Sequence, residues 1–288
     1  MRPPSSVPEV VADQACHAAG SPCWHPQAGL LFWTDLTDGR LLFFDPASAK
    51  GAALPGAPKV LACAPRDDGS LLLLLADGGM ASFRVPDAVA TRAGTQPWGL
   101  QALLAAAAVD GRGRLYCAAH SSSEKSGSLY QVRMDGTTEE VPLAVGRITA
   151  MDFDSSGNLY CCEAGRRKLL RFSAHGQAFS EPQAIFQVPQ SLGAPHGLAL
   201  DAKGHLWVAV WGGSCILRIS PSGREEQRVY FTAKLVSGLA FGGPDLRDLY
   251  VATSGAEDRK ANGPGAGALF RLRPGVKGLP KHPVSAVT

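Results

Sequence analysis

The stretch APHGLALDAKGHLWVAVWGG, residues 194–213, decides the fold because its pattern returns at regular intervals along the chain. It predicts a strand over 197–201, a tight turn at Lys203 and Gly204, and a second strand over 205–210. Six segments share this pattern, and from the turn onward they read GLLFWTD at 29, GSLLLLL at 69, GRLYCAA at 113, GNLYCCE at 157, GHLWVAV at 204 and RDLYVAT at 247. Their starts lie 40, 44, 44, 47 and 43 residues apart.

Regular repeats of short strands indicate one closed all-β architecture. Each repeat continues into a third strand, and the chain shows almost no helical periodicity. Units of about 43 residues with three or four strands are the size of a propeller blade, whereas a β-sandwich would not produce six copies in register. We therefore predict a six-bladed β-propeller, a single domain over 1–288, with segment 8–17 closing the last blade. The blades are expected to start near residues 20, 61, 105, 149, 196 and 237.

Composition excludes several functional classes. The chain has 288 residues, 45% of them hydrophobic and 18% charged, which is typical of a globular protein. The formal net charge is +3, and basic residues do not cluster with aromatic ones, so no nucleic-acid partner is expected. The N-terminal segment lacks the apolar run of a secretory signal, and 70–76 is too short to span a membrane. We expect a cytoplasmic protein; its oligomeric state stays open.

The seven cysteines do not indicate a disulfide framework or a zinc site. Seven is an odd number, and the spacings match neither pattern. The adjacent Cys161 and Cys162 point to opposite faces of a predicted strand. We therefore expect the cysteines to be buried, reduced and small apolar packing residues.

The repeats also predict which residues surround the channel of the propeller. In such a fold the innermost strand of each blade lines the channel, and its first residue opens onto one face. Counting eight residues back from the turn glycines gives Leu61, Ala105, Thr149 and His196. Gly20 follows when the extra turn residue of the first repeat is allowed for, and Ser237 follows from matching SGLAF to HGLAL, which completes a ring of six residues. The second strand of each blade returns to the same face, which adds Asp35, His120, Glu163 and Trp211.

Three stretches resemble the senescence-marker-protein (regucalcin)/gluconolactonase/luciferin-regenerating-enzyme family. They are AAGSPCWHPQAGLLFWTDL at 18–36, APHGLALDAKGHLWVA at 194–209, and GLAFGGPDLRDLYVATSG at 238–255 with its glycine-rich close at 265–280. The resemblance implies a six-bladed propeller that hydrolyses lactones and related esters. It also implies a divalent cation, usually calcium, held by a Glu of the first blade, an Asn of the fourth and an Asp of the fifth.

The resemblance fails at the metal ligands. Gly20 stands at the Glu position, Thr149 at the Asn position and His196 at the Asp position, which in the family also serves as acid/base. Ala105 replaces a further Asn that contacts substrate or solvent. A ring without carboxylates is a poor calcium site. One imidazole cannot form a zinc site alone, and His120 is the side chain that would have to join it. We therefore predict no metal and no other cofactor.

The candidate catalytic residues each have a structural alternative. His196 is predicted to be an acid/base or a substrate anchor, since imidazole titrates near neutral pH; alternatively it bonds a blade turn. Glu163 is a candidate catalytic partner, or forms an ion pair with Arg166 or Arg167. His120 belongs to the pocket or to the polar loop 120–127, which is a candidate lid.

The candidate binding residues are assigned in the same way. Trp211 is predicted to form an apolar wall, or else packs between blades. Asp35 contacts substrate or forms an Asx turn, and Thr149 and Ser237 are expected to donate hydrogen bonds to the ligand. The predicted substrate contacts are Thr149, Ser237, Trp211, Asp35, Gly20 and Ala105.

Three functions remain open at this point. The first is a small-molecule enzyme that opens a lactone or ester, or carries out an isomerisation, cyclisation or elimination, through His196 and without the family's metal. The second is a non-catalytic propeller that binds a ligand or a protein. The third is a calcium-dependent lactonase with substitute ligands such as Asp35 and Glu163. The two-sided mouth, polar on three blades and apolar on three, favours the first.

Overall fold

The computed structural model describes residues 7–85, 89–93, 103–120, 127–176 and 178–285. Every regular element in these ranges is a β-strand. No helix in the described part of the chain is long and apolar enough to cross a membrane. The all-β prediction is confirmed.

The strands follow one another in short antiparallel sets. Strand β1 is Glu9–Asp13. The first two sets are β2 (Ala19–His25), β3 (Leu30–Asp35), β4 (Arg40–Asp45) and β5 (Lys50–Ala53), then β6 (Val60–Pro65), β7 (Leu71–Leu75), β8 (Met80–Arg84) and β9 (Val89–Ala93). The next are β10 (Leu103–Val109), β11 (Leu115–His120), β12 (Gly127–Val132) and β13 (Thr138–Val145), then β14 (Ile148–Phe153), β15 (Leu159–Glu163), β16 (Lys168–Phe172), β17 (Ala174–His175), β18 (Ala178–Phe179) and β19 (Gln183–Gln187). The last are β20 (Ala194–Leu200), β21 (Leu206–Trp211), β22 (Cys215–Ile219), β23 (Glu225–Tyr230), β24 (Leu235–Gly242), β25 (Asp248–Ser254) and β26 (Ala268–Leu272).

These strands form four separate four-stranded sheets, one sheet of eight strands and a two-stranded hairpin of β17 and β18. The four-stranded sheets are β2 to β5, β6 to β9, β10 to β13, and β14, β15, β16 and β19. The large sheet contains two antiparallel sets, β20 to β23 and β24, β25, β26 and β1, joined through the single pair Trp211 and Leu235. Strand β1 therefore pairs with β26, although the two lie at opposite ends of the chain.

The sheets have a propeller-like arrangement around a central cavity. The first strand of each set, here called an inner strand, contacts the next in the order β2, β6, β10, β14, β20 and β24, and β24 contacts β2 again. Apolar side chains fill the spaces between neighbouring sheets. Trp24 stacks on Tyr250 with ring centroids 6.2 Å apart, for example, and joins β2 to the large sheet.

Each inner strand carries a β-bulge near its first residues. In β6, β10, β14, β20 and β24 the pairing skips one residue, and the skipped residues are Leu61, Ala105, Thr149, His196 and Ser237. In β2 the register shifts between Gly20 and Cys23. A bulged residue is released from the ladder and its side chain is re-aimed. The bulged residues therefore coincide with five of the six ring residues predicted from the repeats, while Gly20 is paired with Thr34 just before the register shift of β2.

The C-terminal tail, residues 275–285, crosses the far ends of the inner strands, on the side away from the bulges. Gly278 bridges to Asp201, and the amide of Leu279 donates to the carbonyl of Leu200 at 2.9 Å. Val284, which is fully buried, pairs with Arg66 just beyond β6. The tail thus ties several sheets together across the end of the cavity.

Candidate functional site

The central cavity is enclosed by the inner strands and has a volume of about 130 Å³ for the centres of water-sized molecules. Since one water needs roughly 10–15 Å³ by this measure, the cavity has room for a small organic molecule. Five of the six predicted ring positions line it, and they are Gly20, Ala105, Thr149, His196 and Ser237. The sixth, Leu61, is replaced in the lining by its neighbour Ala62. The bulged end of the cavity is called the mouth below.

His196 is the titratable side chain at the mouth, and its tautomer is fixed. Its Nδ1 lies 2.6 Å from the carbonyl oxygen of Ser237. A carbonyl can only accept, so Nδ1 carries the proton, and Nε2 is the basic nitrogen of the neutral ring. The ring stacks on Trp211, with centroids 4.9 Å apart and planes 26° from parallel.

The pKa of His196 is lowered from its usual value of 6.5. Burial is the largest cause, because a low-dielectric environment disfavours the charged imidazolium. The positive charge of Arg147 lowers the pKa further, while the hydrogen bond to the Ser237 carbonyl acts in the opposite direction. His196 is therefore a neutral base at physiological pH.

Two glycines allow the close approach that creates this hydrogen bond. A Cβ on Gly197 would lie 2.7 Å from the Cα of Gly238 and 2.9 Å from the oxygen of Ser237. Both partners are backbone atoms, so neither can move without displacing a strand. The pairs His196–Gly197 and Ser237–Gly238 thus bring β20 and β24 together at the mouth.

The hydroxyls of Thr149 and Ser237 at the mouth both donate their hydrogen bonds to backbone carbonyls of the protein. Thr149 Oγ1 donates to the carbonyl of Pro195 at 3.3 Å, and Ser237 Oγ donates to that of Ala252 at 3.1 Å. Each hydroxyl keeps its lone pairs, as does Nε2 of His196. These three side chains therefore have lone pairs left that can accept a hydrogen bond, whereas the sequence had suggested that Thr149 and Ser237 donate.

Asp35 is fully buried, and its carboxylate holds the backbone. It accepts hydrogen bonds from the amides of His17, Ala18 and Thr37, and from Arg40 at 2.8 Å. Burial alone would raise its pKa, but the bonds from Arg40 and the amides outweigh this and leave the pKa below 3.8. Asp35 does not line the cavity.

Glu163 occupies the matching place at the end of β15. Its Oε1 accepts from the amide of Gly146 at 2.8 Å and from Arg166 at 3.1 Å. The side chain is 1% exposed and lies outside the cavity lining. The ion pair with Arg166, the alternative considered from the sequence, is therefore present.

The remaining candidates lie at the edge of the site. Trp211 is partly buried at the end of β21 and reaches the mouth through its stack on His196. His120 ends β11 opposite Leu103 and does not line the cavity. Residues 121–126 of the predicted lid lie outside the described residues.

The opposite end of the cavity, called the floor here, was missed by the sequence reasoning. Its polar groups are Asp152, at the far end of β14, and Lys281 and His282 of the tail. Lys281 Nζ lies 2.5 Å from Asp152 Oδ2. A tail residue that returns over a distant strand has no local pattern in the sequence that could have revealed it.

The side chains at the mouth supply one imidazole and two hydroxyls. Among the residues that the structure describes, no three His, Cys, Asp or Glu side chains gather in a way that could hold a metal ion. The carboxylate in the cavity lining, Asp152, is at the floor and paired with Lys281. All seven cysteines are buried and free of disulfides.

Comparison with known proteins agrees with this architecture. The family model for the SMP-30/gluconolactonase/LRE-like region matches residues 18–255. The chain is 31% identical to the pentonolactonase XacC of Haloferax volcanii, covering 94% of this chain and 96% of that one. It is 27% identical to the 6-deoxy-6-sulfogluconolactonase of Pseudomonas putida, covering 89% and 91%.

Solved structures share the fold. The calcium-binding protein regucalcin from Agrobacterium tumefaciens superposes with a TM-score of 0.85 at 20% identity, covering 96% of both chains. Family model, relatives and fold all lead to one assignment: the chain belongs to the SMP-30/gluconolactonase/LRE-like family.

Proposed function

We propose that this protein is a lactone hydrolase that works at the cavity mouth with His196 as general base and without a divalent metal. The observation that carries the proposal is the hydrogen bond between His196 Nδ1 and the Ser237 carbonyl. It holds the imidazole in the tautomer whose Nε2 can accept a proton. Relatives named as lactonases support ester-ring opening as the reaction class.

The proposed reaction has two proton transfers. Nε2 takes a proton from water as the oxygen attacks the lactone carbonyl carbon, and the imidazolium then gives the proton to the ring oxygen as the acyl–oxygen bond breaks. The Ser237 carbonyl and the ring face of Trp211 both stabilise the positive charge that His196 carries while it holds this proton.

The side chains at the mouth do not fit the family's calcium ion. Calcium in proteins takes six to eight oxygen ligands, usually including carboxylates, and this mouth presents an imidazole and two hydroxyls. Asp35 and Glu163, the substitutes considered from the sequence, already bind backbone amides and arginines.

Added calcium is expected to leave the melting temperature unchanged, because an ion that binds the native state would raise it. Differential scanning fluorimetry with millimolar CaCl₂ and with EDTA measures this. The matched control is the triple variant Gly20→Glu, Thr149→Asn, His196→Asp, which restores the family's ligands. In that variant Leu36 must move, since its Cδ1 lies 3.2 Å from a Cβ on Gly20. A calcium-dependent rise of several degrees in the unaltered protein would contradict the proposal.

The pH dependence of kcat/KM is expected to show an acid limb below pH 6.5. Burial and Arg147 lower the pKa of His196, and the base works only when neutral, so activity is lost as pH falls through that lowered value. Initial rates from pH 4 to 8, corrected for spontaneous hydrolysis, provide the test. A limb above 6.5 would mean that another group is the base.

We also propose that the four separate sheets and the two sets of the large sheet are the six blades of one propeller domain spanning 1–288. The support is the order of inner-strand contacts and the pairing of β1 with β26. A crystal structure with a different number of blades would refute this count.

A further inference from the structure

Resting on the proposed function, we propose that Trp211 is a positioning residue, which holds the imidazole of His196 at the tilt that lets Nε2 act as the base. Trp211 lies outside the cavity lining, whereas His196 is part of it. The indole stacks on the imidazole with ring centroids 4.9 Å apart. Any effect of the indole on a bound molecule therefore passes through His196.

The hydrogen bond of His196 fixes one atom of the ring and leaves its tilt free. His196 is the bulged residue of β20, so it has no directly paired neighbour on β21 that could support its side chain. Its Nδ1 lies 2.6 Å from the carbonyl oxygen of Ser237, but a carbonyl accepts hydrogen bonds over a broad range of directions. A contact on the face of the ring is needed to fix the tilt, and the indole, 26° from parallel, provides it.

A joint between two sets of strands places Trp211. Among the sheets that the structure describes, the set β20 to β23 and the set that begins with β24 share one ladder, and their joint is the pair Trp211 and Leu235. On its other side Trp211 pairs with Ala194 of β20. The backbone of Trp211 is thus fixed both to the strand of His196 and to the strand of Ser237.

The chain has an indole at this place in the set that carries His196. In the other five sets, the residue that pairs at the same place is Leu36, Ala76, His120, Ala164 or Ser254. Gly193 leaves space for the close pairing of Trp211, because a Cβ there would lie 2.2 Å from the Trp211 carbonyl oxygen. The large ring therefore stands in the set whose mouth residue is titratable, as expected of a residue that positions an imidazole.

Loss of the indole is expected to lower kcat and to leave KM unchanged. Without the stacked face, the imidazole can tilt away from the Ser237 carbonyl and exchange this hydrogen bond for one to water. Neutral histidine in water carries its proton mainly on Nε2, and in that tautomer Nε2 cannot accept a proton. Because a misplaced catalytic group is costly, kcat is expected to fall by about 10- to 100-fold.

The test compares three variants with the unaltered protein. Trp211→Leu removes the ring, Trp211→Phe keeps an aromatic face, and Tyr230→Leu is the matched control. Tyr230 is a 62% exposed aromatic residue on β23 of the same sheet, outside the cavity lining. Values of kcat and KM are measured for the best substrate among glucono-δ-lactone, xylono-γ-lactone and γ-valerolactone.

The tautomer of His196 is measured in the same four proteins. The chemical shifts of the two ring nitrogens, obtained by nitrogen NMR at pH 8, show which nitrogen carries the proton. The ring is neutral at this pH, because its pKa lies below 6.5. The variant His196→Asn assigns the signals.

The expected result is a kcat that falls in Trp211→Leu, is largely retained in Trp211→Phe and is unchanged in Tyr230→Leu. The proton of His196 is expected on Nδ1 in all of these proteins except Trp211→Leu. A Trp211→Leu protein with unaltered kcat, or one in which His196 keeps its proton on Nδ1, would overturn the inference while hydrolysis through His196 stood. A higher KM at unchanged kcat would also overturn it, and would make Trp211 a wall for the substrate.

The nitrogen spectra keep this inference distinct from the proposed function, because they need no turnover. A proton that leaves Nδ1 in Trp211→Leu alone, in a protein that hydrolyses none of these lactones, would uphold the positioning role and overturn the proposed function. If Trp211→Leu does not fold, Trp211→Met, whose flexible side chain also lacks a ring, takes its place in both measurements.

Discussion

Replacing His196 with alanine is expected to lower kcat for lactone hydrolysis by about 10²- to 10⁴-fold, the usual contribution of one general acid/base. Alanine has no group that can take the proton from water, while the mouth backbone held by Gly197 and Gly238 is unchanged. Stopped-flow or pH-stat rates for the variant and the unaltered protein, with the same lactone, measure the effect. The variant His196→Asn keeps a polar side chain that cannot titrate, so it is expected to be equally impaired.

A second histidine of the same strand pair provides the control. His205 lies at the other end of β20 and β21, where its Nε2 is 2.9 Å from Glu226, and His205→Ala is expected to retain full activity. Recovery of activity in His196→Asn would show that the side chain only anchors the ligand. A loss of several kcal/mol of stability in His196→Ala, with activity retained, would show that its role is structural.

Replacing Asp35 with alanine is expected to lower the free energy of unfolding by about 3 kcal/mol, because the substitution leaves Arg40 and several backbone amides without their hydrogen-bond acceptor. Since Arg40 is 34% exposed, water recovers part of the loss, which places the value at the low end of the range for a broken buried pair. Urea unfolding at pH 7 gives the number. Catalysis by the folded fraction is expected to be unchanged, since Asp35 lies outside the cavity lining.

The effect of Asp35 has a predictable pH dependence. Its pKa in the folded protein lies below the usual 3.8, so its stabilisation is present above pH 3.8 and is lost as pH falls through the lowered value. The gap between variant and unaltered protein therefore narrows in acid. Asp45→Ala is the control, because Asp45 bonds only its own exposed turn. If Asp35→Ala were as stable as the unaltered protein and its KM were tenfold higher, Asp35 would instead be a residue that contacts the substrate.

The residues at the mouth could be predicted from sequence because they recur. Counting eight residues back from the turn glycines located Thr149 and His196 without any structural information, and matching SGLAF to HGLAL located Ser237. The bulges explain why the count works, because in β6, β10, β14 and β20 the skipped residue lies eight positions before the turn glycine. What the count could not give is the direction of each hydrogen bond. Thr149 donates to Pro195 of the next repeat, and Ser237 donates to Ala252 on the second strand of its own repeat. The repeat pattern does not indicate either acceptor.

The carboxylates and the floor show two other limits. Asp35 and Glu163 stand at equivalent strand ends, and sequence position alone does not separate a carboxylate aimed at a ligand from one that binds the next backbone segment. In the structure both carboxylates are of the second kind, because both side chains are buried and accept hydrogen bonds from backbone amides. Lys281 and Asp152 are 129 positions apart, and their contact depends on the path of the whole tail.

The bulges have a consequence for how such a protein changes over evolutionary time. A bulged residue can be exchanged without breaking a hydrogen bond of the ladder, so the side chains at the five bulged positions are less constrained by folding than their paired neighbours. Selection can therefore change the chemistry of the mouth one substitution at a time while the strands and their pairing stay the same. Relatives that differ at these few positions need not share a reaction, however similar their strands are.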